Sequence, residues 1–181
     1  MLRPGGSLRV ETLGVIVVKV GGSLFPEPQL GPALRDWLTA LPEPVVVFPG
    51  GGSFADAVRG LDAVHQFTAT ESHWLAIRSL TLSKHFLQLL LGDRFDILDP
   101  FEFFSEHDLT AHSWAVTSDS LALAFAQHHQ ACKLVLLKSV TKHDQASWEQ
   151  TADLELVDDF FPTLLRHQPM SVELIDFLGL L

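Results

Sequence analysis

The first residue in this sequence with chemistry to offer is a lysine set inside an otherwise aliphatic strand. Val15-Ile16-Val17-Val18-Lys19-Val20 runs directly into Gly21-Gly22-Ser23, and a charge placed among valines requires a partner of opposite sign. A phosphoryl group held at the carboxyl end of the strand would supply one. Glycines after a strand leave backbone N–H groups unobstructed, and a helix starting there adds the positive end of its dipole, a combination that binds anions. Glycine's ordinary use in tight turns accounts for the same residues without any ligand. The pattern of strand, glycine turn and helix start returns at an offset of 30 residues in Val45-Val46-Val47-Phe48-Pro49-Gly50-Gly51-Gly52-Ser53-Phe54. Asp119, in Thr117-Ser118-Asp119-Ser120, falls in the first turn of a predicted helix. There it either caps the helix or, beside Lys19, orients a lysine or helps organise Mg2+.

Other chemistries find no support in the residue pattern. No Gly-Lys-Ser/Thr follows either glycine turn, no Gly-x-Gly-x-x-Gly fingerprint occurs, and a Gly-x-Ser-x-Gly elbow is missing. The nine histidines include the neighbours His128 and His129 and the pair His107 and His112, five apart, none with a spacing that converges metal ligands. No metal set is assigned, and the histidines are expected at the surface or satisfied in the core. Cys132, the one cysteine, excludes an intramolecular disulfide and a cysteine-clustered zinc site, and is expected as a small buried hydrophobe.

The elements that must position these residues follow from periodicity. Continuous Val/Ile runs are strands covered on both faces, as in a parallel sheet with helices on either side. Leu30, Leu34, Trp37, Leu38 and Leu41 form one helical stripe, and Phe54, Ala55, Val58 and Leu61 another. Thr68 to Leu91 reads as mostly helical with Gly92 as a stop, Phe95–Leu98 and Phe101–Phe104 as short strands around Pro100, and Leu134–Leu137 and Val172–Phe177 as further strands. Thr117 or Ser118 caps a helix over Asp119–Ala126. The alternation is that of an α/β protein.

The chain's 181 residues fit one domain, expected over residues 12–181 behind a loose tail at 1–11, with no regulatory domain appended. At 47% hydrophobic residues it can fill a core, so disorder is excluded. Twelve Lys and Arg against 22 Asp and Glu give net −10, the wrong sign for nucleic acid or an anionic membrane surface. No apolar stretch is long enough to span a bilayer and no signal peptide is recognisable, so a cytoplasmic location is expected.

Four segments together resemble the amino acid kinase family, which includes acetylglutamate, aspartate, uridylate and isopentenyl phosphate kinases. They are Val18-Lys19-Val20-Gly21-Gly22-Ser23, Pro49-Gly50-Gly51-Gly52-Ser53-Phe54-Ala55, Thr117-Ser118-Asp119-Ser120-Leu121-Ala122 and Leu134-Val135-Leu136-Leu137-Lys138-Ser139-Val140. They occur in the family's order. The wording of the second, of His73-Trp74-Leu75-Ala76-Ile77 and of Trp114-x-Val116-Thr117-Ser118-Asp119-Ser120 is similar to the family's small archaeal and methylotroph branch, which includes the methanofuran-biosynthesis kinase. The resemblance implies a three-layer αβα sandwich around a mostly parallel sheet, and direct transfer of the γ-phosphoryl group of ATP, with Mg2+, to a small-molecule acceptor. In this branch the acceptor would bear a phosphate and belong to methanofuran or related one-carbon cofactor biosynthesis. By matching positions, Lys19 would contact the transferring group and Asp119 would organise the lysines. Gly21, Gly22, Ser23 and Lys138 would bind ATP phosphates, and Gly50, Gly51, Gly52 and Ser118 would hold the acceptor. A homodimer is implied as well.

The chain departs from the family pattern where a further lysine is usual, in Val157-Asp158-Asp159-Phe160-Phe161-Pro162, and at the Asp-Gly turn, replaced by Thr141-Lys142-His143-Asp144. Between Ser139 and Leu181 two cations face eight acids. An acid at Asp159 would repel ATP, which supports a second reading as a kinase-fold protein without catalysis that acts as a binding or assembly partner.

Overall fold

A computed structural model describes residues 14–140 and 146–180. The expected tail at 1–11 and the whole of the Thr141–Asp144 substitution lie outside them. Five strands form one sheet in the order β3-β2-β1-β4-β5, with every pairing parallel. They are β1 (Ile16–Val20), β2 (Val45–Pro49), β3 (Asp96–Ile97), β4 (Lys133–Lys138) and β5 (Val172–Asp176). The helices are α1 (Leu30–Thr39), α2 (Gly52–His65), α3 (Ala69–Leu91), α4 (Pro100–Glu106), α5 (Ser118–His128), α6 (Trp148–Asp153) and α7 (Phe161–His167).

Side-chain alternation along β1 divides the core. Ile16, Val18 and Val20 pack with Leu30, Leu34 and Leu38 of α1 and with Leu87 and Leu91 at the end of α3. Val17 points the other way, to a core built from Leu121 and Phe125 of α5, Phe104 of α4, Phe161 of α7 and Leu134 and Leu136 of β4. Helices thus cover both faces, giving the expected αβα sandwich. None of those described is long and apolar enough to cross a membrane.

One local reading is sharpened and three change. Thr68–Leu91 contains one unbroken helix: Thr68 and Glu71 form a reciprocal capping box and Gly92, at φ 71°, ends it. Phe101–Phe104 is not a strand but most of α4, because Asp99 accepts hydrogen bonds from the amides of Phe101 and Glu102 and Pro100 occupies the first turn. Finally, Gly21-Gly22 is followed by a single 3-10 turn, Gly22–Leu24, and α1 begins only at Leu30, so the first glycine loop does not lead directly into an α-helix. Cys132 is exposed rather than buried, its thiol directed to the Val15 carbonyl.

Candidate active site

The sheet order reverses direction at β1: the chain proceeds outward through β2 and β3, then returns to add β4 and β5 on the other side. Such a switch point opens a crevice at the carboxyl ends of the two central strands. Lys19 has the parity of Val17 and so projects toward α5. In the β1–β4 register Lys19 lies opposite Leu136, which places Lys138 two residues further along its strand, on the same face and at the same edge. The first turn of α5 brings Asp119 between them.

The result is a three-membered charge cluster. Lys19 Nζ lies 2.7 Å from Asp119 Oδ1, and Lys138 Nζ donates to Oδ2 at 2.6 Å. Lys19 is 3% and Asp119 4% exposed, so both are withdrawn from water. Burial lowers the Lys19 pKa to about 8 against the opposing pull of Asp119, with the nearby Lys138 lowering it further. In Asp119 burial acts upward, but the two lysine charges hold the carboxyl below its usual value. Each carboxylate oxygen of Asp119 thus lies at ion-pair distance from an ammonium group, and the contact at Oδ2 is also a hydrogen bond.

The two glycine loops meet at the mouth of this cluster in direct backbone contact. A Cβ on Gly22 would fall 2.1 Å from the Gly52 nitrogen, and Gly52 itself has φ 53°, so neither position accepts a side chain without displacing the other loop. The amides of Gly21 and Gly50 are spent on Leu137 and Val20 carbonyls. The start of α2 opens at Gly51 without a capping side chain, a feature that suits an anion. A cavity of about 220 Å³ runs from the lysines to this helix start. Lys19, Gly21, Gly22, Ser23, Gly51, Gly52, Ser118, Asp119 and Lys138 all line it, whereas Gly50 does not: it lies behind, against the Val20 carbonyl.

Four further residues belong to the site without having been assigned to it from the sequence. Arg59 lines the cavity from α2, its guanidinium 4.8 Å from the centre of the Trp114 ring. Trp114 in turn donates through Nε1 to Asp62 at 2.6 Å, tying the 107–117 loop to α2. His73, on α3, is 6% exposed, and burial with the neighbouring His112 brings its pKa to about 4, so it is neutral at pH 7. Both His73 and Trp114 stand in the branch-like segments, but nothing in their spacing reveals that they face one cavity.

The fourth is Asp158. Its carboxylate accepts hydrogen bonds from the amide and hydroxyl of Thr117 and of Ser120 and from the amides of Phe160 and Phe161. It thereby fastens the start of α5, which carries Asp119, to the start of α7. Burial raises its pKa, the bonds from Ser120 and Thr117 oppose that, and Asp119 adds to it. Asp158→Ala is expected to cost about 3 kcal/mol, because several donors lose a buried ionised acceptor at once, and to lower Tm by roughly 9 °C. Thermal denaturation followed by circular dichroism tests this, and a drop below about 2 °C would refute the fastening role.

The acidic end is mostly spoken for. Besides Asp158, Glu149 pairs with Arg166 at 2.7 Å, Glu173 pairs with Lys133 at 3.2 Å, and Asp176 accepts the Gly179 amide. Asp159 is exposed.

A parallel αβα sandwich, two interlocked glycine loops and a lysine–aspartate–lysine cluster at the switch point define the class: the chain has the amino acid kinase fold. Uridylate kinase from Archaeoglobus fulgidus shares it, with a TM-score of 0.63 at 15% identity over 90% of both chains. A relative in sequence is the [5-(aminomethyl)furan-3-yl]methyl phosphate kinase of Methanocaldococcus jannaschii, 26% identical over 187 aligned positions that span 88% of this chain and 87% of that one. UMP kinase from Ureaplasma parvum aligns over 90% of this chain and 89% of that one, with 13% identity and a TM-score of 0.47. No family model matches the chain.

Proposed function

We propose that this protein is a small-molecule kinase that transfers the γ-phosphoryl group of ATP to a phosphate-bearing acceptor, of the kind named for the Methanocaldococcus jannaschii relative, in methanofuran or related one-carbon cofactor biosynthesis. The observation that carries this reading is the Lys19–Asp119–Lys138 cluster at the carboxyl ends of β1 and β4, facing a cavity whose far side is the uncapped start of α2.

Phosphoryl transfer needs little covalent chemistry from a protein. It needs the donor and acceptor oxygens held in line and the charge on the equatorial oxygens stabilised. An acceptor phosphate oxygen would attack the γ-phosphorus as the bond to the β–γ bridging oxygen breaks, releasing ADP. No general base is required because the attacking oxygen is already anionic. Lys19 would lie against the transferring group, Lys138 and the first loop against the nucleotide phosphates, and the α2 start with Arg59 against the acceptor phosphate. The residues fit such polyanions: three cations against two carboxylates line the cavity, and both oxygens of Asp119 are already paired. Mg2+ would then be carried by the phosphate oxygens, neutralising their charge. The non-catalytic reading is not favoured, since the sequence relative is a phosphate kinase and the fold is one that kinases have.

Isothermal titration with Mg-ATP, followed by ADP release with phosphate-bearing and carboxylate-bearing acceptors, tests the proposal. Saturable ATP binding and turnover only with the phosphate class are expected; no binding at millimolar ATP would refute it. The Lys19 pKa near 8 makes a further prediction. Raising pH through that value removes the positive charge facing the transferring group, so kcat/KM should fall on the alkaline side. In the complex, added phosphate charge favours the ammonium form, so the alkaline limb of kcat should lie at higher pH than that of kcat/KM. A kcat/KM profile flat from pH 7 to roughly 9.5 would contradict the assignment.

A further inference from the structure

Three donors to which the kinase reading gives no role converge at one wall of the cavity, which His73 lines. His73 on α3 and Asp108 and His112 on the 107–117 loop each offer a ligand atom, and these atoms lie within 4.8 Å of one another. His73 Nε2 is buried with no hydrogen-bond partner, an arrangement that native proteins rarely leave unexplained. The other two are already oriented. His112 Nε2 lies 3.1 Å from both oxygens of Asp108, and its Nδ1 lies 3.0 Å from Thr70 Oγ1. The His73 and His112 rings stack with centroids 4.3 Å apart, and Trp74 meets both edge-on.

We propose that His73, Asp108 and His112 bind one divalent ion of the borderline class, Zn2+ foremost, which clips the 107–117 loop onto α3. Two imidazoles and a carboxylate are a donor set for Zn2+, whereas Mg2+ and Ca2+ prefer oxygen alone. Mg2+ accompanying a nucleotide would therefore not compete for the site. Thr70 supplies the outer contact that commonly fixes the tautomer and orientation of a ligating histidine. Donors around Zn2+ at ~2.1 Å stand roughly 3.4 Å apart, so binding draws the loop inward and splays the stacked rings slightly. Asp108, the donor on the outer side, is exposed. The same loop presents Ser113 and Trp114 to the cavity, so the ion stiffens one wall of the candidate active site. Its binding requires none of the kinase assignment.

The test is calorimetric titration of Zn2+ into the full chain, free of any affinity tag and stripped with chelator, alongside thermal denaturation with and without Zn2+. One equivalent is expected to bind at micromolar affinity or tighter and to raise Tm. His112→Ala and Asp108→Asn, both on the loop and so not dependent on repacking the core around His73, should each weaken binding by about tenfold or more and abolish the thermal shift. His128→Ala is the control, since His107, His128 and His129 form a separate ring cluster around Phe103; it should bind as the parent does. Absence of Zn2+ binding to the parent chain, parent-like affinity in either loop variant, or loss of binding in His128→Ala would each overturn the proposal.

Discussion

Lys19→Ala should lower turnover by about a thousandfold while changing Mg-ATP affinity by less than about tenfold. The asymmetry follows from where the ammonium group sits. At the carboxyl end of β1, held by Asp119 and almost wholly out of water, it acts in a low-dielectric setting in which a fixed positive charge is worth far more than in solution. Under the proposed function its interaction would strengthen as negative charge gathers on the transferring oxygens, so it would discriminate the transition state from the bound substrates. ATP itself would be held by several other groups, among them Lys138 and the first glycine loop. Steady-state ADP release combined with calorimetric ATP titration separates the two effects. Unchanged turnover, or equal losses in affinity and rate, would remove Lys19 from the catalytic role. Lys19→Arg is expected to recover part of the rate, because it keeps the charge but not the compact ammonium geometry.

The second large effect concerns stability. Asp119→Asn should cost about 3–5 kcal/mol and lower Tm by roughly 10 °C, in addition to reducing turnover. A single carboxylate neutralises both lysines, at 2.7 and 2.6 Å. Its loss leaves Lys19 buried beside a second ammonium group with no counter-charge, the configuration for which desolvation is least repaid. The double variant Lys19→Met with Asp119→Asn discriminates this account from a mere packing defect. Because it removes the uncompensated charge as well as its partner, it should be more stable than Asp119→Asn alone, and differential scanning calorimetry on the parent, Lys19→Met, Asp119→Asn and the double variant closes the cycle. If the double variant is the less stable of the two, charge pairing is not what Asp119 contributes.

Much of the architecture was legible in local pattern. The Val/Ile runs of β1, β2 and β4 announced doubly covered strands, and the helical stripe through Leu30, Leu34 and Leu38 announced α1, because burial leaves its period in the residues themselves. Local pattern misled where a cap overrode composition. Phe101–Phe104 is rich in aromatic residues and reads as a strand, yet Asp99 and Pro100 start a helix there, and a hydrogen-bonded carboxylate at a helix start outweighs a weak β propensity. The glycine turns gave only half their meaning. Gly21-Gly22 and Gly50-Gly51-Gly52 read as two anion loops, but the structure spends the Gly21 and Gly50 amides inside the sheet and uses Gly22 and Gly52 to bring two backbones together.

The sequence by itself determined that Lys19 would face a helix-covered layer, since alternation along a buried strand assigns every residue to one side. It also determined that Asp119 would begin a helix, since Thr117 supplies the cap. That Lys138 shares Asp119 with Lys19 was decided by the tertiary structure alone. It depends on the register of β4 against β1 across more than a hundred intervening residues. The same holds for Asp158, which reaches back to Thr117 and Ser120, and for His73 beside Asp108 and His112. Such contacts are set by how the sheet and its helices pack, and packing between distant segments leaves no period in the chain from which it can be read.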